Sequence, residues 1–171
     1  VMDARSGVEV GTELAWSYGE QMETPSMFVV NHVDHADADV RAILDEIEDR
    51  FGRGATAVQF PCGAGSRSIV DVLRMEQLHY PDGETDPETG PIDDAFRETA
   101  DTLHETLVED IAANDEALME TYFEQGGLSA AQMREGLQAG LLNRELYPVF
   151  VTSATEGIGV SRLLDFIEAV C

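Results

Sequence analysis

Lysine is absent from this chain. All 10 basic residues are arginine, set against 34 Asp and Glu, for a formal charge of −24 over 171 residues. A surface so one-sided repels nucleic acid and anionic membranes, which excludes non-specific binding to either. Apolar runs are too short for a membrane-spanning helix, and no signal-peptide pattern opens the sequence. Only two cysteines occur, Cys62 and Cys171, too few for a disulfide framework, so a reduced, cytoplasmic setting is expected. No internal repeat is visible. What is present is enough for a core: 43% of residues are hydrophobic, with a periodicity too regular for an acidic disordered chain. The length fits one domain, or one with a sizeable insertion. An arginine-only, acid-rich composition is also that of proteins from salt-loaded cytoplasm.

The stretch that organises the rest is Met27-Phe28-Val29-Val30 followed by Asn31-His32-Val33-Asp34. Four apolar residues after the Thr24-Pro25-Ser26 break, with helical spacing resuming after Asp37, predict a buried strand feeding a helix. In open α/β sheets ligands sit beyond the carboxyl ends of strands, where this tetrapeptide falls. It resembles the N-K-x-D box of GTP-binding proteins, with His32 in the lysine position. An ionised Asp34 offers two acceptor oxygens to the N1–H and 2-amino donors of guanine. Adenine lacks both donors and would leave a carboxylate unpaired. Two other readings stand beside this one. His32, Asp34, His35, Asp37 and Asp39 are metal-ligand types that could converge on zinc or iron. Alternatively, Asp37 or Asp39 caps the next helix and the histidines face solvent. A second strand-like run, Pro148 to Thr152, ends in Ser153-Ala154-Thr155 and resembles the S-A box that completes a guanine site.

Between these boxes the patterns are readable. A helix after Gly7-Val8-Glu9 carries Val10, Leu14, Tyr18 and Met22 on one face, with Trp16 read as a packed residue. Val40, Ile43, Leu44, Ile47 and Phe51 define an amphipathic helix that Gly52 ends. Asp49-Arg50-Phe51-Gly52 matches D-x-x-G in letters only, since it finishes a helix rather than a strand. Ala57 to Phe60 reads as one short strand, and the Gly63-Ala64-Gly65-Ser66 loop as a turn rather than a phosphate cradle. Ile69–Val72 and Met75–Tyr80 suggest a hairpin, and Pro81 to Pro91 a solvated loop. Helices follow around Phe96, Leu103, Leu107 and Ile111, then around Leu118, Met119, Tyr122 and Phe123. Ser129 and Gln132 form a capping box ahead of a helix burying Met133, Leu137 and Leu141. Val160, Leu163, Leu164, Ile167 and Val170 mark a closing helix.

Asp34 and Ser153 lie 119 positions apart, far more than one helix and one strand require, so an inserted subdomain is expected. The order of elements, and wording spread along the chain, resemble translation elongation factor G and its close relatives, whose insert is called G-prime. Asp3-Ala4 through Gly7–Glu13 resembles the segment after the family's fourth strand. Ile69–Leu73 resembles its insert hairpin and Asn114–Met119 its insert helix. Leu146–Phe150, Ser153-Ala154 and Gly157–Val160 resemble its closing unit. The resemblance implies an α/β fold: a partial P-loop GTPase-type sheet with helices, interrupted by an α+β insertion. Residues 1–60 and 146–171 would be the second half of the GTPase domain, and 61–145 the insert. It implies GTP or GDP as ligand, held by Asn31, His32, Val33, Asp34, Ser153, Ala154 and Thr155. Asp34 would read the base, Asn31 tie the box to its neighbours, Ala154 N–H meet O6, Ser153 support the carboxylate and His32 cover the base. It further implies action on the ribosome, with the insert meeting the stalk protein. The family's phosphate loop, G-x-x-x-x-G-K-[ST], has no counterpart here because there is no lysine, and the Mg²⁺-side motif and switches are missing too. A piece of a longer GTPase is therefore expected, without catalytic residues of its own. His32 in place of lysine hints at a divergent paralogue. The competing function is an acidic protein-interaction module whose nucleotide site is vestigial.

The acids are clustered, as in Asp45-Glu46 with Glu48-Asp49, Asp93-Asp94 and Asp115-Glu116. A like-charged pair ~6 Å apart in water costs about 0.7 kcal/mol unscreened, roughly 0.4 at 0.1 M salt and 0.1 at 1 M. Several such pairs amount to ~1–3 kcal/mol, against a typical total stability of ~5–15 kcal/mol. The melting temperature should therefore climb between 0.1 and 1 M potassium chloride, and climb less once the clusters are neutralised. A flat or falling profile rejects salt adaptation.

Overall fold

Parallel strands run through the middle of the molecule, and their order fixes where everything else goes. The structure, a computed structural model, describes residues 1–52 and 54–170. The first sheet has the order β1-β2-β8-β3, from β1 (Met2–Asp3), β2 (Phe28–Asn31), β8 (Tyr147–Val151) and β3 (Ala55–Ala57). All its pairings are parallel. Strands covered on both faces should be almost wholly apolar, and β8 is buried at every position. The second sheet, β4-β5-β6-β7, is antiparallel and built from β4 (Gln59–Pro61), β5 (Ser68–Asp71), β6 (Glu76–His79) and β7 (Glu88–Gly90). The mixed α/β architecture expected from the sequence is thus present, with a small antiparallel sheet between strands of the parallel one.

Helices α1 (Val10–Gln21) and α2 (Val40–Phe51) belong to the first sheet. Asp39 caps α2 by accepting from Ala42 N at 3.0 Å, and Gly52 ends it at φ +87°. Trp16 of α1 stacks on Phe28, meets Phe51 and approaches Tyr147 edge-on, with centroids 4.7–5.3 Å apart. Aromatic pairs in this range add stability beyond their buried area. The stripe Val10, Leu14, Tyr18 and Met22 turns the other way, at 71%, 51%, 62% and 77% exposure.

After the second sheet come α3 (Asp94–Ala113), α4 (Glu116–Gln125) and α5 (Ala130–Leu142). The capping box of α5 is complete, and Met133, Leu137 and Leu141 are buried as their spacing requires. Helix α6 (Val160–Val170) closes the described residues. Here the periodicity misleads: Phe166 and Val170 are buried, whereas Leu164 and Ile167 are exposed. Phe166 is drawn in by Phe150 of β8, with centroids 4.7 Å apart.

Two further readings are corrected. Ala57–Phe60 is not one strand, because the chain changes sheets at Val58. Val58 N donates to Val149 O at 3.1 Å, while Val58 O accepts from Val72 N at 3.0 Å. The Pro81–Pro91 loop contains β7, an edge strand paired with β6 through Gln77↔Gly90 and His79↔Glu88. Its side chains are polar and mostly exposed, so backbone pairing alone makes it a strand.

Neither hydrophobic cluster is confined to one sheet. Ile69 and Leu78 join Val30, Val149 and Val151, while Val70 and Val72 join Leu107, Leu137 and Phe150. Alternate residues of β5 therefore serve both cores. Close packing of α5 on α3 depends on Gly136, where an added Cβ would lie 2.5 Å from Ile111 Cγ2 and 2.7 Å from Leu118 Cδ1. Gly11, in the first turn of α1, has no atom within 4 Å of that position. Gly136→Ala should therefore lose about 1 kcal/mol net, overpacking of ~1–3 outweighing a helix-propensity gain of up to ~1. Gly11→Ala should gain about 0.5 kcal/mol. Urea unfolding of the two variants checks the opposite signs.

Candidate functional site

The in-register pairing of β2 with β8 matches Val30 to Val151, which puts the residues following each strand side by side. Thr152 N donates to Val30 O at 2.8 Å and Val33 N donates to Thr152 O at 3.2 Å, carrying the ladder past the strands. Asn31 is the clasp: its Oδ1 accepts from Thr152 Oγ1 at 3.2 Å and from Ala154 N at 2.9 Å. Segments more than 120 residues apart are thereby locked into one loop cluster. All seven residues singled out from the sequence, Asn31, His32, Val33, Asp34, Ser153, Ala154 and Thr155, lie at this one sheet end.

Their settings differ. Val33 is fully buried and anchors the first loop. His32 adopts a left-handed backbone at φ +67°, which turns the chain sharply out of β2. Its Nδ1 lies 3.0 Å from Asp3 Oδ2. Asp3 also takes a two-pronged contact from Arg5, at 2.8 Å from Nε and 2.5 Å from Nη2. Those Arg5 hydrogen bonds, with His32 assisting, hold the Asp3 carboxyl far below the usual carboxylate range. The same contact pushes the Arg5 guanidinium up, and the charges of Asp34 and Asp37 add to it. Ser153 is fully buried, with its backbone closed on Ile158 at 2.9 and 3.0 Å. Ala154 and Thr155 are exposed.

Two buried oxygens here have no hydrogen-bond partner among the described residues: Asp34 Oδ1 and Ser153 Oγ. Such groups are rare, because each costs the desolvation of a polar atom without return. The donor and acceptor types suit a planar base with adjacent N–H groups, so the residues present fit guanine. They fit a metal poorly. Among the described residues no group of three or more His, Cys, Asp or Glu is arranged to hold an ion. His32 is turned to Asp3, and Asp39 to its helix cap. Burial, with Asp93 adding, pushes the Cys62 thiol up to about 12, which keeps that cysteine unreactive.

Sequence reasoning missed three contributors. Thr152, 3% exposed, donates to Asn31, and its signal was only its place before Ser153. Asp3 holds His32, a contact that no spacing rule reveals. Gly65 of the β4–β5 turn lies against the Asp34 loop: a Cβ there would sit 3.4 Å from Asp34 O. That turn has Gly63 and Gly65 at φ +93° and +71° and leads into a strand, so the turn reading holds.

The elongation factor Tu GTP-binding domain model matches residues 1–171. Elongation factor G of Mycoplasma pneumoniae is 32% identical over 98% of the chain and 25% of that relative. A crystal structure of a Thermus thermophilus protein superposes with a TM-score of 0.88 at 26% identity, covering 99% of this chain and 25% of that one. The chain thus spans about a quarter of the length of each. With the sheet order, the two strand-end loops and these matches in agreement, the chain belongs to the elongation factor Tu GTP-binding domain family, as an elongation factor G-like member.

Proposed function

We propose that these 171 residues are the guanine-recognition part of an elongation factor G-like translational GTPase that works on the ribosome in the cytoplasm. The observation that carries this reading is the pair of buried, unpartnered oxygens, Asp34 Oδ1 and Ser153 Oγ, beside the Asn31 clasp. In this reading the Asp34 carboxylate accepts from the base N–H groups and Ser153 Oγ–H supports it. The Ala154 N–H, which donates to Asn31 Oδ1, stands at the rim where a base oxygen can share it. Asn31 holds both loops at the right separation, while Val33 and Thr155 are framing residues. His32, anchored to Asp3, replaces a longer lysine, so its link to a phosphate loop is weaker than the family's.

Binding GTP supplies the phosphoanhydride to be broken. The residues here bind and orient the base, and none of them is placed to transfer a proton or activate water. Phosphate contacts and Mg²⁺ ligands would come from residues outside this chain, which has no lysine for a phosphate loop. Residues 1–60 and 146–171 are read as the nucleotide-binding part and 61–145 as its insert; the change of sheet at Val58, just ahead of β4, and the return at β8 support a division near these bounds, although β4 itself straddles the first. The stalk protein of the ribosome is the partner proposed for that insert. A cleft of about 690 Å³ between α2 and α3, with Asp45, Glu48 and Glu98 along it, favours the interaction-module reading as the alternative.

Two experiments test the assignment. In the full-length protein, Asp34→Asn should move preference from GTP toward xanthosine triphosphate, because an amide donates where the carboxylate only accepts. The shift expected is on the order of a few kcal/mol, and unchanged guanine preference would remove Asp34 as the reader. The 171 residues alone should show no GTP hydrolysis above background in a phosphate-release assay. Turnover there would refute the division of labour between this chain and the rest of the protein.

A further inference from the structure

A second polar site lies where the two sheets and the last two helices meet. A cavity of about 160 Å³ is lined by Gln59, Asp71, Arg74, Arg134 and Arg162, with Phe150 and Phe166 among its apolar walls. It shares no residue with the Asn31–Asp34 and Ser153–Thr155 loops. Its volume is close to that of a cavity that accepts benzene, enough for a ligand of several heavy atoms.

Three features mark it as more than a packing gap. Gln59 is 1% exposed, yet its side-chain Oε1 has no hydrogen-bond partner among the described residues. The Arg162 Nε–H is also buried and unpartnered, although Nη2 reaches Glu76 at 2.6 Å and Nη1 approaches Asp165 at 3.8 Å. Arg134, at the mouth on α5, makes no ion pair within 4.0 Å among the described residues, in a chain where acids outnumber bases 34 to 10. Two carboxylates, Asp71 and Asp165, also line the cavity: Asp71 Oδ1 accepts from Arg74 N at 3.0 Å, and Asp165 lies 3.8 Å from Arg162, which is also paired with Glu76. The orphan groups are one donor, the Arg162 Nε–H, and one acceptor, Gln59 Oε1, with the Arg134 guanidinium beside them. The Gln59 amide can present its NH₂ to the cavity by a half-turn that leaves its shape unchanged.

We propose that this cavity binds a small oxyanion, a phosphate or a short carboxylate, through Arg134, the Arg162 Nε–H and the Gln59 amide. Arginine is suited to both classes because its planar fork matches two oxygens at once. The lining spans β4, the end of β5, β8, α5 and α6, so a ligand there joins the antiparallel sheet to the closing helices.

The test is thermal melting at one fixed ionic strength, with chloride replaced stepwise by inorganic phosphate in one arm and butyrate in the other. A saturable rise in melting temperature is expected in at least one arm, and the arm that responds identifies the oxyanion. Gln59→Leu should abolish the saturable rise, and Arg134→Ala, at an exposed position, should weaken its half-saturation at least tenfold. Asp34→Asn should leave it intact. Should Gln59→Leu fail to fold, Arg134→Ala carries the test alone. Absence of a rise in both arms overturns the proposal. So does a rise that fails to saturate, or one unaltered by Arg134→Ala, since either is a bulk salt effect.

Discussion

The in-register parallel pairing of β2 with β8 is the constraint on which the rest of this molecule depends. A shift of one residue would turn over the faces of the strand that slipped and take Asn31 away from Thr152 and Ala154. Val30, Val149 and Val151 are fully buried in one cluster and Phe150 is buried in the other, so the hydrophobic cores enforce that register from both sides. The polar clasp then reads out what the apolar strands have set. Everything between the strands, including a whole second sheet and four helices, returns to this junction because β8 has one place to go.

That return is why the insert is not an appendage. A subdomain docked through its surface would keep its own core, whereas β5 here sends Ile69 into the cluster under the parallel sheet and Val70 into the one under α3 and α5. Val58 bonds to strands of both sheets, and Gly65 rests on the loop that carries Asp34. Strain in the antiparallel sheet therefore has a short physical path to the Asp34 loop. Packed cores transmit such displacement because they contain little free space.

Much of this was legible in the sequence, for identifiable reasons. β2, α2, α5 and β8 are encoded by strong local signals: apolar runs bounded by turns, a 3.6-residue period and a capping box. The seven residues singled out from the sequence meet at one sheet end because both boxes are contiguous and terminate apolar strands. What stayed hidden is non-local. β7 is polar and exists through backbone pairing, and the break at Val58 arises from competition between two sheets for one residue's N–H and C=O. On α6 the period allowed several faces, and only the presence of Phe150 chooses Phe166 over Leu164 and Ile167. The stripe on α1 is a genuine helical face, but periodicity alone does not say which side meets the sheet. Trp16, with the largest apolar surface, decides it by packing among Phe28, Phe51 and Tyr147.

Energetics explain why the site is built with two oxygens left unpaired. Each buried orphan costs about 1–3 kcal/mol, so Asp34 Oδ1 and Ser153 Oγ together take roughly 2–6 kcal/mol from folding. A surface loop could not hold them there, since it would relax toward water. Here Val33 is packed at 0% exposure, Ser153 is closed onto Ile158, and Asn31 bridges the loops, so relaxation would break the core and the clasp together. In the proposed reading a ligand with matching N–H groups would satisfy Asp34 without reorganising the protein, and affinity is gained mostly when such ordering precedes binding. A ligand lacking those donors recovers nothing and still displaces solvent from the rim. In the proposed reading, selectivity for the base would follow from stability withheld in the folded state, which the β2–β8 junction makes tolerable.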